Sequence, residues 1–356
     1  MTLADKSQKH IFLELFLKKI TIALDAMGGD KAPDIVIDGA SEAKVRYPEI
    51  KFNFFGNENI LGPLIKKKHN LENSDIIHTN EYIKATDRPS NVIRRGANTS
   101  MALAIKSVKE KSDALVSAGN TGALMAFSKL FLKTVSGINR PAIAACFPTM
   151  NGEVCMLDLG ANIECDENNL LQFALMGQAF AKIVIGINNP KVALLNIGEE
   201  EIKGLDYIKN ASNSLNDLSR IINYCGYIEG DRITDGTVDV IVTDGFTGNI
   251  ALKTAEGTAS FFSNSLKQAL KRSFSSKVGY FLAKKSLEGL RAHLDPRKYN
   301  GAVFLGLNGI VVKSHGGTDA FGFANAIGVA YDMVKYDFID ELKLKLSVST
   351  KYLDNN

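Results

Sequence analysis

The chain has 356 residues, 45% hydrophobic and 23% charged, the composition of a folded globular protein long enough for one large α/β domain or two lobes. Its 42 Lys and Arg nearly balance 39 Asp and Glu, which argues against nucleic acid as a partner, and with no tryptophan a base-stacking platform is not expected. The cysteines, Cys146, Cys155, Cys165 and Cys225, form no C-x-x-C pair and have no histidine at metal-ligand spacing, so the expectation is free thiols in apolar strand-like surroundings, with no metal and no cofactor.

At the N-terminus, Lys6 and Lys9 precede an apolar run that Glu14 interrupts. Lys18 and Lys19 follow, without a small-residue cleavage site, so residues 1–18 read as a leader or a packed extra helix rather than an export signal. Short β-branched runs then alternate with helical ones. Strands are predicted at Ile20–Leu24, Phe52–Phe55, Asp75–His78, Ala114–Ser117, Ile143–Phe147, Val154–Leu157, Val192–Asn196 and Val238–Thr243, and near Val303 and Ile310. Helices are predicted at Ile35–Arg46, Ser100–Lys109, Ala123–Thr134, Leu170–Val184, Ile202–Leu218, Ile250–Leu270 and Ala320–Leu346. This alternation, with continuously apolar strands, predicts an α/β protein with a mostly parallel sheet covered on both faces. The longest apolar stretch, 170–187, is broken by Gln172, Gln178 and Lys182, so no segment reads as a membrane span. The domain reading is a leader over 1–18, one α/β domain over 19–348 and a tail over 349–356.

Residues 265–300 depart from the average, with nine Lys or Arg against only Glu288 and Asp295. Leu266, Leu270, Phe274, Val278, Phe281 and Leu282 recur every three or four residues, so the segment is amphipathic. It reads as a long surface helix with a solvated basic face, or as a docking face for an anionic membrane or an acidic protein.

The chain lacks G-x-G-x-x-G after a strand, the P-loop, the G-x-S-x-G elbow and H-E-x-x-H. A different pattern recurs: several strands end in a loop of Gly with Asp, Asn, Ser or Thr, followed by a helix. The loops are Asp25-Ala-Met-Gly-Gly-Asp30, Ser117-Ala-Gly-Asn-Thr-Gly122, Asp158-Leu-Gly-Ala-Asn162, Asn196-Ile-Gly-Glu199, Asp244-Gly-Phe-Thr-Gly-Asn249 and Ser314-His-Gly-Gly-Thr-Asp319. In parallel α/β sheets such loops gather where ligands bind. Glycine admits close backbone approach, and helix N-termini offer N–H groups to an anion. Phosphate is the expected anion. No nucleophile–base pair accompanies the loops. His315 alone among the five histidines sits in one of them, as a phosphate ligand, a proton donor, or a loop residue bonded to backbone.

These residues resemble the bacterial phosphate acyltransferases of phospholipid synthesis, from about Ile20 to Val348. The likeness is carried by Ile22-Ala-Leu-Asp-Ala-Met-Gly-Gly-Asp30, Ser117-Ala-Gly-Asn-Thr-Gly-Ala-Leu-Met125, Leu157-Asp-Leu-Gly-Ala-Asn162, Leu194-Leu-Asn-Ile-Gly198 with Lys203-Gly204, Val242-Thr-Asp-Gly-Phe-Thr-Gly-Asn249 and Lys313-Ser-His-Gly-Gly-Thr-Asp319, in the family's order. Two features depart from the family pattern: the leader, and Gly96 and Ala97, which stand where lysines are common.

The resemblance implies a three-layer α/β/α fold around one mixed, mostly parallel sheet, similar to isocitrate and isopropylmalate dehydrogenases. It implies a homodimer without metal or nucleotide, working in the cytoplasm near the inner membrane face. Its substrates would be a fatty acyl group on acyl carrier protein and inorganic phosphate. Its acyl phosphate would pass to a membrane acyltransferase acting on glycerol 3-phosphate. It places the family's catalytic lysine and asparagine at Lys203 and Asn249, and His315 is the third catalytic candidate. Lys203 would offset phosphate charge or protonate the leaving sulfur, and Asn249 would donate to the oxyanion; their bland alternatives are a solvated lysine at a helix start and an N-cap. Gly119, Asn120, Thr121 and Gly122 would cradle phosphate, with Asn162, Asn196, Thr247, Gly248 and Ser314 as further binding residues. Asp25, Asp30, Asp158 and Asp244 would cap helices or orient Lys203 and His315, since like charges repel phosphate.

Overall fold

The computed structural model describes residues 19–84, 86, 87, 92–94 and 96–354; the expected leader over 1–18 lies outside them. In chain order the elements are β1 (Thr21–Asp25), α1 (Asp34–Arg46), β2 (Lys51–Gly56), α2 (Glu58–Lys66), β3 (Asp75–His78), α3 (Ser100–Ser107), β4 (Ala114–Ser117), α4 (Thr121–Leu132), β5 (Ala142–Thr149), β6 (Gly152–Leu157) and α5 (Glu167–Phe180). They continue with β7 (Lys191–Leu195), α6 (Asp206–Asp217), β8 (Asn223–Ile228), β9 (Val240–Val242), α7 (Gly245–Lys271), α8 (Phe274–His293), β10 (Ala302–Leu305), β11 (Ile310–Lys313), α9 (Ala320–Lys335) and α10 (Phe338–Asp354).

Most predicted elements are present, and the departures have local causes. Helix α2 was not expected; Asn57 caps it, accepting from Asn59 N at 2.9 Å, but Pro63 inside it masks the helical signal. Strand β8 was missed because Gly226, at φ +88°, interrupts its pattern. The helix expected from Ile202 starts at Asp206, because Gly204 at φ +95° stops a helix from running through it. The long helix expected over 320–346 is two, α9 and α10, parted at Asp337 with φ +49°. Helix α10 runs on to Asp354, through most of the expected tail. The basic segment is also not one helix. Helix α7 ends at Lys271, and Ser273 caps α8 by accepting from Ser276 N at 3.1 Å.

The chain divides into two units, each described here by itself. The first holds the described residues through Pro141, Lys182–Asn188 and those from Asn300 on. Its strand order is β3-β2-β1-β4-β11-β10, parallel throughout except for β10 against β11. Successive side chains of a strand point to opposite faces, yet every residue of β4 is buried, so both faces are covered. Helix α3 packs on β1, β2 and β4, and α9 packs on α1, β4 and β11. Phe52, Phe54, Phe127 and Phe323 are wholly enclosed.

The second unit holds Ala142–Ala181 and Asn189–Tyr299. Its order is β5-β6-β9-β7-β8, with only β5 and β6 antiparallel. Val154, Met156, Leu195 and Ile241 form part of its core, and the start of α7, at Ala251 and Leu252, packs against it. Beyond that start the α7–α8 pair is largely exposed: Phe261 is 74%, Phe281 75% and Leu282 79% accessible. Among the described residues no helix is long and apolar enough to cross a membrane.

The cysteine expectation holds for two residues. Cys146 and Cys155 face one another across β5 and β6, and burial pushes the Cys146 thiol up to about 12 and raises Cys155 as well. Cys165 instead lies in a loop, and Cys225 is exposed on β8. All four are free thiols.

Candidate active site

In the first unit, three strand-end loops are tied together around a buried carboxylate. Asp25, at the end of β1, is 1% exposed; its oxygens accept from the Ser100 hydroxyl at 2.6 Å and the Ser117 hydroxyl at 2.7 Å. Burial raises its pKa, and the two serine hydrogen bonds oppose that rise. Gly28 must be glycine, because a Cβ there would meet the Asp25 carboxylate and lie 2.9 Å from Gly119 N. Asp30 N donates to Gly316 O at 3.0 Å and Ser314 N to Ser117 O at 2.9 Å.

Within this cluster Asn120 caps α4, accepting from Ala123 N at 3.0 Å, while its amide donates to Asp87 O at 3.3 Å. Thr121 and Gly122 are exposed and carry the first N–H groups of α4, which have no acceptor within the helix. Gly119 is half-buried. His315 is exposed; its Nδ1 accepts from Gly317 N at 3.1 Å, and its own N–H donates to Asn300 Oδ1 at 2.9 Å. Ser314 is fully buried, with its hydroxyl oxygen accepting from Asn300 Nδ2 at 2.8 Å. Lys313, the last residue of β11, donates to Ala118 O at 3.2 Å and to Ser314 O. Burial lowers it from the usual lysine value to about 8, while Asp25 and Asp30 pull the other way. Lys313 opens one of the family motifs but was given no role from sequence; the available signal was an ionisable residue directly after the apolar run Ile310–Val312.

In the second unit Asp158 plays the corresponding part. It is wholly buried after β6 and accepts from the N–H groups of Ile143, Gly160, Ala161 and Asn162 at 2.7–3.2 Å. The Asn162 amide adds a bond at 2.9 Å. Burial raises the Asp158 pKa against these donors. Asp244 caps α7 through Thr247 N at 2.8 Å; its other oxygen accepts from the Thr247 hydroxyl at 2.8 Å and from the Tyr207 hydroxyl at 3.1 Å. No motif singled out Tyr207. Gly248 packs directly on the Asp158 carbonyl.

Asn249 lies within the first turns of α7, exposed, and its amide donates to Leu159 O at 3.1 Å. It is not an N-cap, because Asp244 holds that position. Lys203 precedes α6 instead of starting it, and is paired with Glu200 at 2.8 Å; that bond holds its pKa above the usual lysine value. None of the four aspartates expected to orient Lys203 is its ion-pair partner. Asn196 is buried and donates to Gly198 O and Lys203 O, both at 3.1 Å, so it fixes the loop that carries Lys203. Its carbonyl oxygen lies against Gly204 without a donor among the described residues.

Of the expected site residues, the first unit groups Gly119, Asn120, Thr121, Gly122, Ser314 and His315, and the second holds Asn162, Asn196, Lys203, Thr247, Gly248 and Asn249. Parallel strands ending in glycine-rich, helix-capping loops define the class of fold seen in phosphotransacetylases. A phosphotransacetylase from Streptococcus pyogenes superposes with a TM-score of 0.61 at 18% identity, covering 94% of this chain and 99% of that one. Residues 20–341 match the family described as "Fatty acid synthesis protein". The chain is 52% identical over 332 residues to the phosphate acyltransferase of Rhodospirillum centenum, covering 93% of this chain and 94% of that protein. It is 49% identical over 326 residues to the phosphate acyltransferase of Paramagnetospirillum magneticum, covering 91% and 93%. The chain therefore belongs to the phosphate acyltransferase family of fatty acid synthesis proteins, and it is an enzyme.

Proposed function

We propose that the chain moves a long-chain fatty acyl group from acyl carrier protein to inorganic phosphate, giving acyl phosphate for phospholipid synthesis. What carries this reading is the near-full-length identity, about one residue in two, with proteins named phosphate acyltransferase. A phosphate oxygen attacks the thioester carbonyl, forming the C–O bond. The tetrahedral intermediate then expels the phosphopantetheine thiolate, breaking the C–S bond, and the thiolate takes a proton. Phosphate is already anionic at neutral pH, and a thiol of pKa ~8.5 leaves readily, so the task is to hold anions together and stabilise the oxyanion.

Lys203, held in place by its ion pair with Glu200, suits a fixed positive charge or a donor to the sulfur. The Asn249 amide has one N–H on Leu159 O, leaving its second for the oxyanion. In the first unit, His315 and the N–H groups of Thr121 and Gly122 would receive phosphate; in the second, Thr247 is exposed beside Asn249's turn of α7. Asn162, Asn196, Ser314 and Gly248 are buried and act by shaping the loops. Gly119 and Asn120 set the start of α4.

The exposed apolar and basic faces of α7 and α8 would serve a homodimer edge and peripheral contact with the inner face of the cytoplasmic membrane, near a glycerol 3-phosphate acyltransferase. The basic charge would also attract an acidic carrier protein.

Hydroxylamine trapping tests the reaction. The protein is given a long-chain acyl–acyl carrier protein with and without phosphate, and hydroxamate and free thiol are measured. Phosphate-dependent hydroxamate with matching thiol is the expected result; folded protein that makes neither refutes the reading. Acyl-CoA in a parallel arm separates carrier preference from chemistry.

A further inference from the structure

We propose that Lys313 is a positioning residue for phosphate in this activity, joining the 117–122 loop to the 314–317 loop and placing a half-buried positive charge where the two loops begin. The inference rests on the phosphate-using reaction proposed above, and it concerns the first unit alone.

The argument begins with what the ammonium touches. Two of its donors go to neutral backbone carbonyls, Ala118 O at 3.2 Å and Ser314 O. Ala118 directly precedes Gly119 and Asn120, and Ser314 directly precedes His315. One side chain thus fixes the carbonyl side of both loops. The N–H groups of the same two peptides are bonded in turn, Gly119 N to Ser117 Oγ at 3.0 Å and His315 N to Asn300 Oδ1 at 2.9 Å, so both planar peptides are held from either side and the start of α4, with the N–H groups of Thr121 and Gly122, is set by them. Lys313 is also opposite Ser117 in the β11–β4 register, so its stem leaves the sheet where the two loops begin.

The second argument is charge. A buried lysine is costly unless an anion compensates it. Asp25, whose oxygens accept from Ser100 and Ser117, and Asp30 both attract Lys313 through space without pairing with it. Among the described residues Lys313 forms no ion pair within 4 Å. An anion seated on the exposed N–H groups of Thr121 and Gly122 would add to the partial compensation that Asp25 and Asp30 give.

The test uses the full chain with Lys313→Met, which removes both donors and charge, and Lys313→Gln, which keeps N–H donors and drops the charge. Folding is checked by thermal melting. Rates are measured against phosphate and against acyl donor, and phosphate binding is measured directly by calorimetry. The expected result for Lys313→Met is a phosphate KM and Kd about 10–100-fold higher, as for loss of a charged hydrogen-bond donor, with kcat and the acyl-donor KM within about threefold. Lys313→Gln should fall between Met and wild type. Folded variants with phosphate KM and Kd within twofold of wild type overturn the proposal. So does a loss of kcat at unchanged phosphate KM, which is the mark of general damage. Should the Met variant fail to fold, the Gln variant decides. Should wild type yield no acyl phosphate, the proposed function falls, and the calorimetric arm still judges Lys313.

Discussion

Two glycines of α7 give a paired test of the second unit's architecture. Gly248→Ala and Gly257→Ala add the same methyl to one helix. On helix propensity alone, each would gain about 1 kcal/mol. At Gly257 nothing lies within 4 Å of the new Cβ, so the gain should survive. At Gly248 the Cβ falls on the Asp158 carbonyl, with Asp158 C at 3.0 Å and Thr243 Cγ2 at 2.9 Å. Those obstacles are mostly backbone, and Asp158 is anchored by its own hydrogen bonds, so neither can swing aside. Overpacking of this kind costs about 1–3 kcal/mol, and a rigid backbone neighbour puts it at the upper end, near 3. The net is about −2 kcal/mol at Gly248 against about +1 at Gly257. At roughly 2 °C per kcal/mol the melting temperatures should differ by about 6 °C. Turnover of Gly248→Ala should also fall about tenfold or more, because a small displacement of the adjacent Asn249 spoils its aim. Thermal melts and the hydroxylamine assay read both effects. A Gly248→Ala protein melting at or above Gly257→Ala would refute the close packing of α7 on Asp158.

Removing the Asn249 amide by Asn249→Ala should lower turnover about 10²–10³-fold with little change in melting temperature; normal turnover would dismiss it as the oxyanion donor. Asp158→Asn turns an NH2 toward backbone N–H groups that need acceptors, and should destabilise by about 1–3 kcal/mol, read as a lower urea midpoint. The Lys313 effect has a definite sign. Its value near 8 in the fold lies below the ordinary 10.5, so between these the unfolded chain binds the extra proton and this residue's contribution to stability rises with pH. Relative to Lys313→Met, wild type should gain up to about 3 kcal/mol between about pH 7.5 and pH 10.5 in denaturant melts. A flat difference would contradict the burial of the ammonium.

The alternation of strands and helices was legible because the inner strands are apolar on both faces and several strand-end loops carry a cap, Asn120, Asp244 and Asp319 among them. Strands β3 and β4 coincide with their predictions, and α4 begins two residues earlier than periodicity suggested because Asn120 caps it. Positions where one residue breaks a pattern were harder. Pro63 concealed α2, Gly226 concealed β8, and neither Gly204 nor Asp337 was read as the stop it is. In the site, residue type was legible and exposure was not. Ser314 and Asn196 carry polar groups like their neighbours in the motifs, yet both are buried and hold backbone. Lys313 and Tyr207 depend on partners distant in sequence, Ala118 and Asp244, which no local spacing announces.

The buried carboxylates at the ends of β1 and β6 have one more consequence, for time rather than geometry. Backbone amides in surface loops normally exchange their hydrogens with solvent quickly. Here the amides of Gly160, Ala161 and Asn162 are held by Asp158, so a stretch outside any helix or strand should exchange as slowly as the strands beside it. The loop on which the Asn249 amide rests, through Leu159 O, then opens only when its core opens. Weakening one buried acid would turn that stretch into an ordinary fluctuating loop, and catalysis would fade in a protein that still looks folded.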